Sequence, residues 1–321
     1  MQLNVSDLTL GPAAGGGTFE VRGGSATDLV GDVQNSHVIS LIAEPGSSST
    51  NANLRAANSF SNAGMILMTS NDPARTATLA LSSGTLTNTG TIHVQSGAGG
   101  TRTLSADLNN QDQLIVDHNL NMNKSSGAHT NTGRIDIAAA AVLSVTGAGS
   151  LDNAPGGIIR GVGTLDSDLT TFTNNGQIAP GFSAGILTIE GDVPFGSSGS
   201  LEIEIGGVAA GTGHDQLQVV GDVTLDGNLD VSLLPGFMPM PLDMFTVLTV
   251  DLGHTITGPF ANTPGNHLIF PGGEFDVLYN AQSVVLTNFV VPEPSCGFLL
   301  VCGMAIAAAA GRTMRGKLRA R

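Results

Sequence analysis

Very few residues of this sequence have the side-chain type and the spacing that a catalytic or metal-binding site requires. Asp166 and Asp168 are separated by one residue, so a β-strand would place both carboxylates on one face. Paired carboxylates act on glycosidic bonds, but the cations that usually bind uronate substrates are missing, because 161–311 contains no Lys or Arg. We therefore expect a protein that is not an enzyme. A carbohydrate-active lyase or hydrolase is the alternative.

The neighbours His214 and Asp215 are a second candidate for chemistry. Asp commonly occupies turns that precede strands, and the strand-like stretch Leu217-Gln218-Val219 follows almost at once. We therefore predict that Asp215 is a turn residue, that no nucleophile accompanies the pair, and that the chain has no catalytic residue.

Metal and cofactor sites are not expected. The chain has seven histidines, and no two of them have the close spacing of helical zinc ligands. They are His37, His93, His118, His129, His214, His254 and His267. No EF-hand loop or calcium-binding nonapeptide occurs, so only weak calcium binding remains open.

The charge is strongly negative and unevenly distributed. The formal net charge is −14, and residues 161–291 hold 14 Asp or Glu. Such a surface repels polyanions. We therefore exclude nucleic acid as a partner.

A repeat marked by Asn, a turn residue and an aliphatic residue runs through the first half of the chain. The asparagines are Asn62, Asn88, Asn110, Asn131, Asn153 and Asn174, and a weaker copy starts at Asn35. Steps of 21–22 residues match one coil of a parallel β-helix. We predict an all-β, right-handed parallel β-helix in which asparagines stack as a ladder and alternate Ile, Leu and Val residues fill a narrow core.

Thr-x-Thr pairs raise the alternative of an ice-binding or surface-binding module. They are Thr76/Thr78, Thr85/Thr87, Thr101/Thr103, Thr171/Thr173 and Thr255/Thr257. Only 85-TLTN and 171-TFTN share an offset from the repeat asparagine, and they lie four coils apart. We therefore favour ordinary solvent-facing strand threonines.

Residues 174–289 resemble the end of the β-helical passenger region of autotransporters, which often reads N-x-G-x-I-x-P-G-x-S-x-G-x-L-T-I. The matching residues are Asn174, Gly176, Ile178, Pro180, Gly181, Ser183, Gly185, Leu187, Thr188 and Ile189. The resemblance implies a β-helix closed by further strands, here a C-terminal β cap.

The C-terminal segment has three parts in a fixed order. Val291, Pro292, Glu293 and Pro294 come first, and the uncharged stretch 295–311 follows. A helix over this stretch would be about 25 Å long and could marginally span a bilayer. The basic end consists of Arg312, Arg315, Lys317, Arg319 and Arg321.

This order resembles the PEP-CTERM sorting signal, also catalogued as the ice-binding protein C-terminal domain. The resemblance implies Sec-dependent export, transient anchoring in the inner membrane and recognition by an exosortase. The protein would then reach the cell surface or an extracellular matrix, with extracellular polysaccharide as a candidate partner.

Four segments follow from these patterns. We predict a truncated N-terminal β segment over 1–34, because no signal peptide is visible there. Parallel β-helix repeats cover 35–180, an autotransporter-passenger-like C-terminal β region covers 181–290, and the sorting signal covers 291–321. The expected function is a structural or adhesive role outside the cell.

Overall fold

A computed structural model describes residues 8–10, 18–22, 27–29, 33–43 and 51–291. Over these residues the regular structure is β, apart from one short 3₁₀ turn at Pro264–Asn266. The strands, in chain order, are β1 (Leu8–Leu10), β2 (Thr18–Arg22), β3 (Thr27–Leu29), β4 (Val33–Asn35), β5 (Val38–Ala43), β6 (Ala52–Ala56), β7 (Phe60–Asn62), β8 (Met65–Ser70), β9 (Ala77–Asn88), β10 (Thr91–Val94), β11 (Arg102–Asn110), β12 (Gln113–Val116), β13 (Leu120–Met122), β14 (Ala128–Asn131), β15 (Arg134–Ile137) and β16 (Val142–Val145). They continue with β17 (Ser150–Asn153), β18 (Ile158–Gly161), β19 (Thr164–Asp166), β20 (Thr171–Asn174), β21 (Gln177–Pro180), β22 (Ile186–Glu190), β23 (Val193–Pro194), β24 (Ser200–Ile205), β25 (Gln216–Val220), β26 (Val223–Thr224), β27 (Asn228–Leu233), β28 (Phe245–Val250), β29 (Ile256–Thr257), β30 (His267–Phe270), β31 (Gly273–Asn280) and β32 (Ser283–Val290).

The strands form three faces of a parallel β-helix. Face one contains the strands that end at the repeat asparagines: β4, β7, β14, β17, β20 and the second halves of β9 and β11. Face two is the 10-stranded sheet from β2 to β27. Face three contains β6, β13, β16, β19, β22, β25, β28 and the first halves of β9 and β11. The predicted all-β parallel β-helix is confirmed.

The core is narrow and built from stacked aliphatic side chains, because parallel in-register pairing brings the same position of each coil together. Each strand of face two from β5 to β27 contributes one fully buried residue to a single column. The column consists of Ile39, Ile66, Ile92, Leu114, Ile135, Ile159, Ile178, Leu201 and Leu229. No coil could bury this surface alone, so stability comes from stacking.

The repeat asparagines form a continuous buried ladder at the corner between face one and face two. Each side-chain amide donates from Nδ2 to the Oδ1 of the asparagine in the next coil, over six bonds of 2.6–2.8 Å. The members are Asn35, Asn62, Asn88, Asn110, Asn131, Asn153 and Asn174, all between 0% and 2% exposed. The predicted corner ladder is therefore present.

The ladder also holds the corner backbone, because each Nδ2 has a second hydrogen to donate. Asn88, for example, donates to the carbonyl of Gln113 at 2.9 Å, and Asn153 donates to that of Gln177 at 3.1 Å. Asn174 ends the ladder: Phe195 stands opposite it in the next coil, and its Nδ2 is buried without a partner.

An antiparallel cap closes the last coil, as the autotransporter resemblance implied. β28 pairs with β32 and β31 pairs with both β30 and β32, all antiparallel. Phe245 and Phe275 meet edge to face with ring centroids 5.8 Å apart, and Phe270 stacks on Phe275 at 5.6 Å. These rings cover the end of the aliphatic core.

Parallel pairing continues beyond residue 180 as far as β29, while the division into segments at residues 34, 180 and 290 stays a prediction. Within the described ranges, no helix has both the length and the apolar character needed to cross a bilayer. The hydrophobic helix predicted over 295–311 lies outside the described residues.

The ladder predicts a large and position-dependent cost for removing one amide. In Asn131→Ala, Asn110 loses its acceptor and Asn153 loses its donor inside the core, so we expect a loss of about 2–4 kcal/mol in the free energy of unfolding. Urea denaturation measures it. Asn174→Ala should cost less, because Asn174 donates no ladder bond. Thr130 is a half-buried neighbour of the ladder, and the free energy of unfolding of Thr130→Ala should stay within about 0.5 kcal/mol of the parent. Equal losses in all three variants would contradict a stabilising role of the ladder.

Candidate binding surface at an acidic corner

Six acids of the C-terminal coils gather where face three turns into face one. We call this surface the acidic corner, defined by Asp166, Asp168, Glu190, Asp192, Asp222, Asp251 and His254. Asp166 ends β19 and lies beside Glu190, the last residue of β22. Because parallel strands end at one edge, successive coils place their following residues, Asp168 and Asp192, along the same corner.

Two carboxylates of the corner hold the backbone of the next coil. Asp192 Oδ1 accepts from the Asp222 N–H at 2.9 Å, and Asp222 Oδ1 accepts from the Thr255 N–H at 2.7 Å. The Thr255 N–H bond, with the hydroxyl of the same residue, lowers the pKa of Asp222 below its usual value. Asp222 therefore stays ionised at neutral pH.

The signal for this corner was present in the sequence as a Gly-Asp-Val repeat, which the asparagine marker did not detect. Gly191 precedes Asp192, and Gly221 precedes Asp222. Gly191 has a φ of 109°, which favours glycine. A Cβ on Gly221 would lie 2.3 Å from the Gly191 carbonyl oxygen, so only glycine lets these coils approach. The two copies are 30 residues apart, longer than the asparagine step, and the coil after Asp222 has no third copy.

Two adjoining open grooves follow the acidic corner, with volumes of about 450 and 420 Å³. The first is lined by Asp168, Asp192 and Asp222, together with Thr171 and Thr224. The second contains Asp166, Asp168, Glu190, Asp192, the exposed Leu169 and His254. The fold thus brings both sequence-predicted acids, Asp166 and Asp168, into a groove with other acids, which the sequence did not predict.

One histidine joins this corner. Among the described residues, one group of three side chains could hold a metal ion: Asp192, Asp222 and His254, whose ligand atoms all lie within 4.8 Å of one another. Two of the three side chains are exposed, and both carboxylates already cap backbone N–H groups. The histidines were expected to be scattered; the long loops before residue 254 bring this one to the acids. The expectation that the chain binds no metal stays a prediction.

Asp215 precedes β25, as predicted, but it is more than a turn residue. Its carboxylate is 1% exposed and accepts from the Gly185 and Glu204 N–H groups, each at 2.8 Å. A Cβ on Gly181 would lie 2.6 Å from Oδ1 of Asp215. The P-G-x-S-x-G motif of the passenger resemblance therefore has a physical role here. Gly181 leaves room for the buried carboxylate, and Gly185 donates its N–H to it.

The His214-Asp215 pair lacks catalytic geometry. The sequence does contain a G-x-S-x-G pattern at Gly181–Gly185, contrary to the expectation that nothing nucleophile-like accompanies the pair. However, His214 is buried, with Nδ1 3.2 Å from the Gly207 carbonyl oxygen and Nε2 3.3 Å from that of Thr246. Ser183 makes no hydrogen bond to it, and burial lowers the pKa of His214. No nucleophile contacts a base here.

Threonines stack only in pairs from neighbouring coils in the described strands, such as Thr224 with Thr257. Thr78 lies beside Thr103 in face three, although their offsets from the repeat asparagines differ, because the coils differ in length. The column then continues with Asn53 on one side and Asn121 on the other. In face one, Thr85 lies beside Asp107. An extended threonine ladder is therefore absent from the described part of these columns.

The sorting residues fall at the edge of the described structure. Val291 is exposed. Pro292, Glu293 and Pro294 lie outside the described residues, as do the basic residues Arg312, Arg315, Lys317, Arg319 and Arg321.

Comparison with known proteins gives a partial similarity to a bacterial adhesin. A stretch of 65 residues is 42% identical to the adhesin BmaC autotransporter of Brucella suis biovar 1 (strain 1330). The match covers 19% of this chain and 2% of that much longer protein. No family model matches the chain. The similarity and the β-helix are both compatible with a surface protein of adhesive or structural type.

The buried Asp215 predicts a pH-dependent stability. Burial raises the pKa of its carboxyl from 3.8 to about 7, against the opposing effect of the two backbone N–H donors. A carboxyl whose pKa is higher in the folded state favours folding while it is protonated. Its contribution to stability is complete below pH 3.8 and is lost as the pH rises to about 7.

We therefore expect Asp215 to contribute a fall of about 2–3 kcal/mol in the free energy of unfolding between pH 5 and pH 8. Asp215→Asn, which mimics the protonated acid, should reduce this fall, as measured by urea denaturation at both pH values. Asp226→Asn, at an exposed position, is the control. An unchanged pH dependence in Asp215→Asn would show that this carboxyl is ionised in the folded protein across the range.

Proposed function

We propose that this chain is a non-enzymatic exported protein of the cell surface or extracellular matrix, with a structural or adhesive role. One observation is its main support. The chain forms a parallel β-helix stabilised by a buried amide ladder, and its C-terminal coils present a groove of exposed acids. Such a rod keeps a long surface in fixed geometry without a bound cofactor. The partial similarity to an adhesin supports the same class.

The groove is suited to hydroxyl-rich, uncharged ligands. Carboxylates accept hydrogen bonds from hydroxyl groups, while the absence of Lys and Arg from 161–291 disfavours anionic chains. Leu169 is exposed at the groove and offers an apolar contact beside the acids. We infer that a neutral extracellular polysaccharide is the partner that this chemistry accepts best.

Sorting through the C-terminal segment is the second part of the proposal. The Pro-Glu-Pro sequence, the uncharged stretch 295–311 and the basic end have the order of a PEP-CTERM signal. Under this proposal the Sec machinery exports the chain, residues 295–311 hold it transiently in the inner membrane, and an exosortase acts at the motif. The basic end would stay on the cytoplasmic side.

A carbohydrate-active enzyme remains the second candidate, because the groove does bring carboxylates together. Its chemistry needs one acid that stays protonated near neutral pH, which burial normally provides. Asp168, Glu190, Asp192 and Asp222 are all exposed, Asp166 is only half-buried, and the pKa of Asp222 is lowered. A binding groove therefore fits the geometry better than a catalytic one.

The two candidates differ in what they do to a polysaccharide. We expect the full chain to be retarded in affinity electrophoresis through a neutral polysaccharide, with no new reducing ends or unsaturated products. The double variant Asp168→Asn/Glu190→Gln should lose most of this retardation, because neither side chain holds the backbone. Asp226→Asn is the control. Product formation that this double variant abolishes would make the protein an enzyme.

The sorting proposal is tested with residues 290–321 fused to an exported reporter protein in a bacterium that carries an exosortase. We expect the parent fusion to be processed and to leave the inner membrane. Glu293→Ala should remain in the membrane fraction, while Ser295→Ala should behave like the parent. Fractionation and immunoblotting measure both. Identical processing of the Glu293→Ala and parent fusions would refute the sorting assignment.

A further inference from the structure

An apolar loop projects from the C-terminal end of the β-helix. Residues 234–244, which we call the Met-Pro loop, connect β27 to β28 and read LPGFMPMPLDM. Met238 is 61% exposed, Met240 66%, Leu242 90% and Met244 56%. Four large apolar side chains facing water within one short loop are uncommon in a monomeric protein and usually mark a contact surface.

The loop has a fixed shape, so the exposure is not that of a loose segment. The Phe237 N–H donates to the Leu234 carbonyl at 3.1 Å, and the Asp243 N–H donates to the Met240 carbonyl at 3.0 Å. The Asp243 carboxylate accepts from the Met240 N–H at 2.8 Å. Phe237 packs edge to face against Phe245, with ring centroids 6.3 Å apart. These contacts anchor the loop and leave its methionines pointing outward.

Strand register places this loop beside the point where the chain leaves the cap. Phe245, directly after the loop, pairs with Leu286 in the antiparallel β28–β32 pair. Because the two strands are antiparallel, the loop residues that precede Phe245 lie on the same side as the residues that follow Leu286, up to Val290. Val290 is exposed, and so is Val291. The loop and the start of the C-terminal segment thus share one edge of the cap.

The segment that follows has the matching chemistry. Residues 295–311 contain no charged group, and they begin four positions after Val291. At about 3.3 Å per extended residue, this stretch begins within about 13 Å of Val291. Burying both apolar surfaces against each other removes each from water. Five basic residues come next in the chain, while the loop carries Asp243 and the cap strand β31 carries Glu274 and Asp276, so the basic end and this edge of the cap have opposite charges.

We propose that residues 295–311 dock on the Met-Pro loop, which covers the apolar segment while the chain is in water. The contact is intramolecular and does not depend on the sorting function. Where the sorting proposal also holds, a bilayer competes with the loop for the same segment. The docked state is then the form that precedes membrane insertion.

The two cysteines of the chain, Cys296 and Cys302, both lie in this segment and report on its position. In the full chain with Cys296→Ser, we add either Leu242→Cys in the loop or Ile269→Cys as a matched control. Ile269 is 69% exposed and lies in β30, opposite Glu274, which itself pairs with Val290. The control is therefore exposed to a similar degree and close to the same exit point.

Mild oxidation in detergent-free buffer, followed by non-reducing electrophoresis and peptide mass spectrometry, measures disulfide formation with Cys302. We expect the intramolecular disulfide to form at least about tenfold faster with Leu242→Cys than with Ile269→Cys, because docking raises the effective concentration beyond that of a tether.

Equal rates at the two positions would mean tethering alone and overturn the proposal. Disulfides only between chains would assign the loop to a second copy. If no disulfide forms and the protein sediments with phosphatidylcholine vesicles only when the loop is intact, the loop would bind a lipid surface instead.

Discussion

The buried asparagine ladder is the interaction on which the rest of the structure depends. A side-chain amide removed from water must have both its donor and its acceptor satisfied. At this corner, only an identical amide in the next coil supplies a donor and an acceptor at the correct height. The ladder therefore fixes the register of every coil from Asn35 to Asn174, because a slip of one residue would bury an unpaired amide and turn the aliphatic column outward.

The end of the ladder coincides with a change in how coils are held together. At Asn174 the amide row stops against Phe195, and later coils are longer by several residues. From Asp192 onward, carboxylates at another corner accept backbone N–H groups from the next coil. Aromatic rings join the aliphatic core in these coils, beginning with Phe195 and Phe260 at a centroid distance of 5.6 Å. The antiparallel cap then covers an end that parallel stacking would leave open.

The sequence predicted the fold well wherever one residue type recurs at a nearly constant interval. Asn35 to Asn174 could be aligned by inspection, and their burial follows from the ladder they form. The Asp192 and Asp222 corner could not be aligned in this way, because loops of unequal length separate its coils. Asp166 and Asp168 were predicted to share one strand face, which is wrong, because β19 ends at Asp166 and Asp168 lies in the turn that follows. The position of Asp166 beside Glu190 depends on the pairing of β19 with β22. The burial of Asp215 depends on space left by Gly181 and on the N–H groups of Gly185 and Glu204, which only the folded chain brings together.

Parallel register also explains why the charge distribution matters. In the first part of the chain, a carboxylate can be neutralised across coils: Asp136 binds Arg134 at 3.0 Å and Arg160 at 2.6 Å. Beyond Arg160 no cation is available up to residue 311, yet the register still places acids beside acids. Burial, together with the neighbouring Glu204 and Asp230, raises the pKa of Glu202.

Coils about 4.8 Å apart are closer than the Debye length of about 8 Å at physiological salt, so this repulsion is only partly screened. Such pairs of neighbouring acids lie on two surfaces: the acidic corner, where Asp166 stands beside Glu190, and face two, where Glu202 stands beside Asp230. The C-terminal coils therefore carry a negative potential that the uncharged asparagine corner does not have.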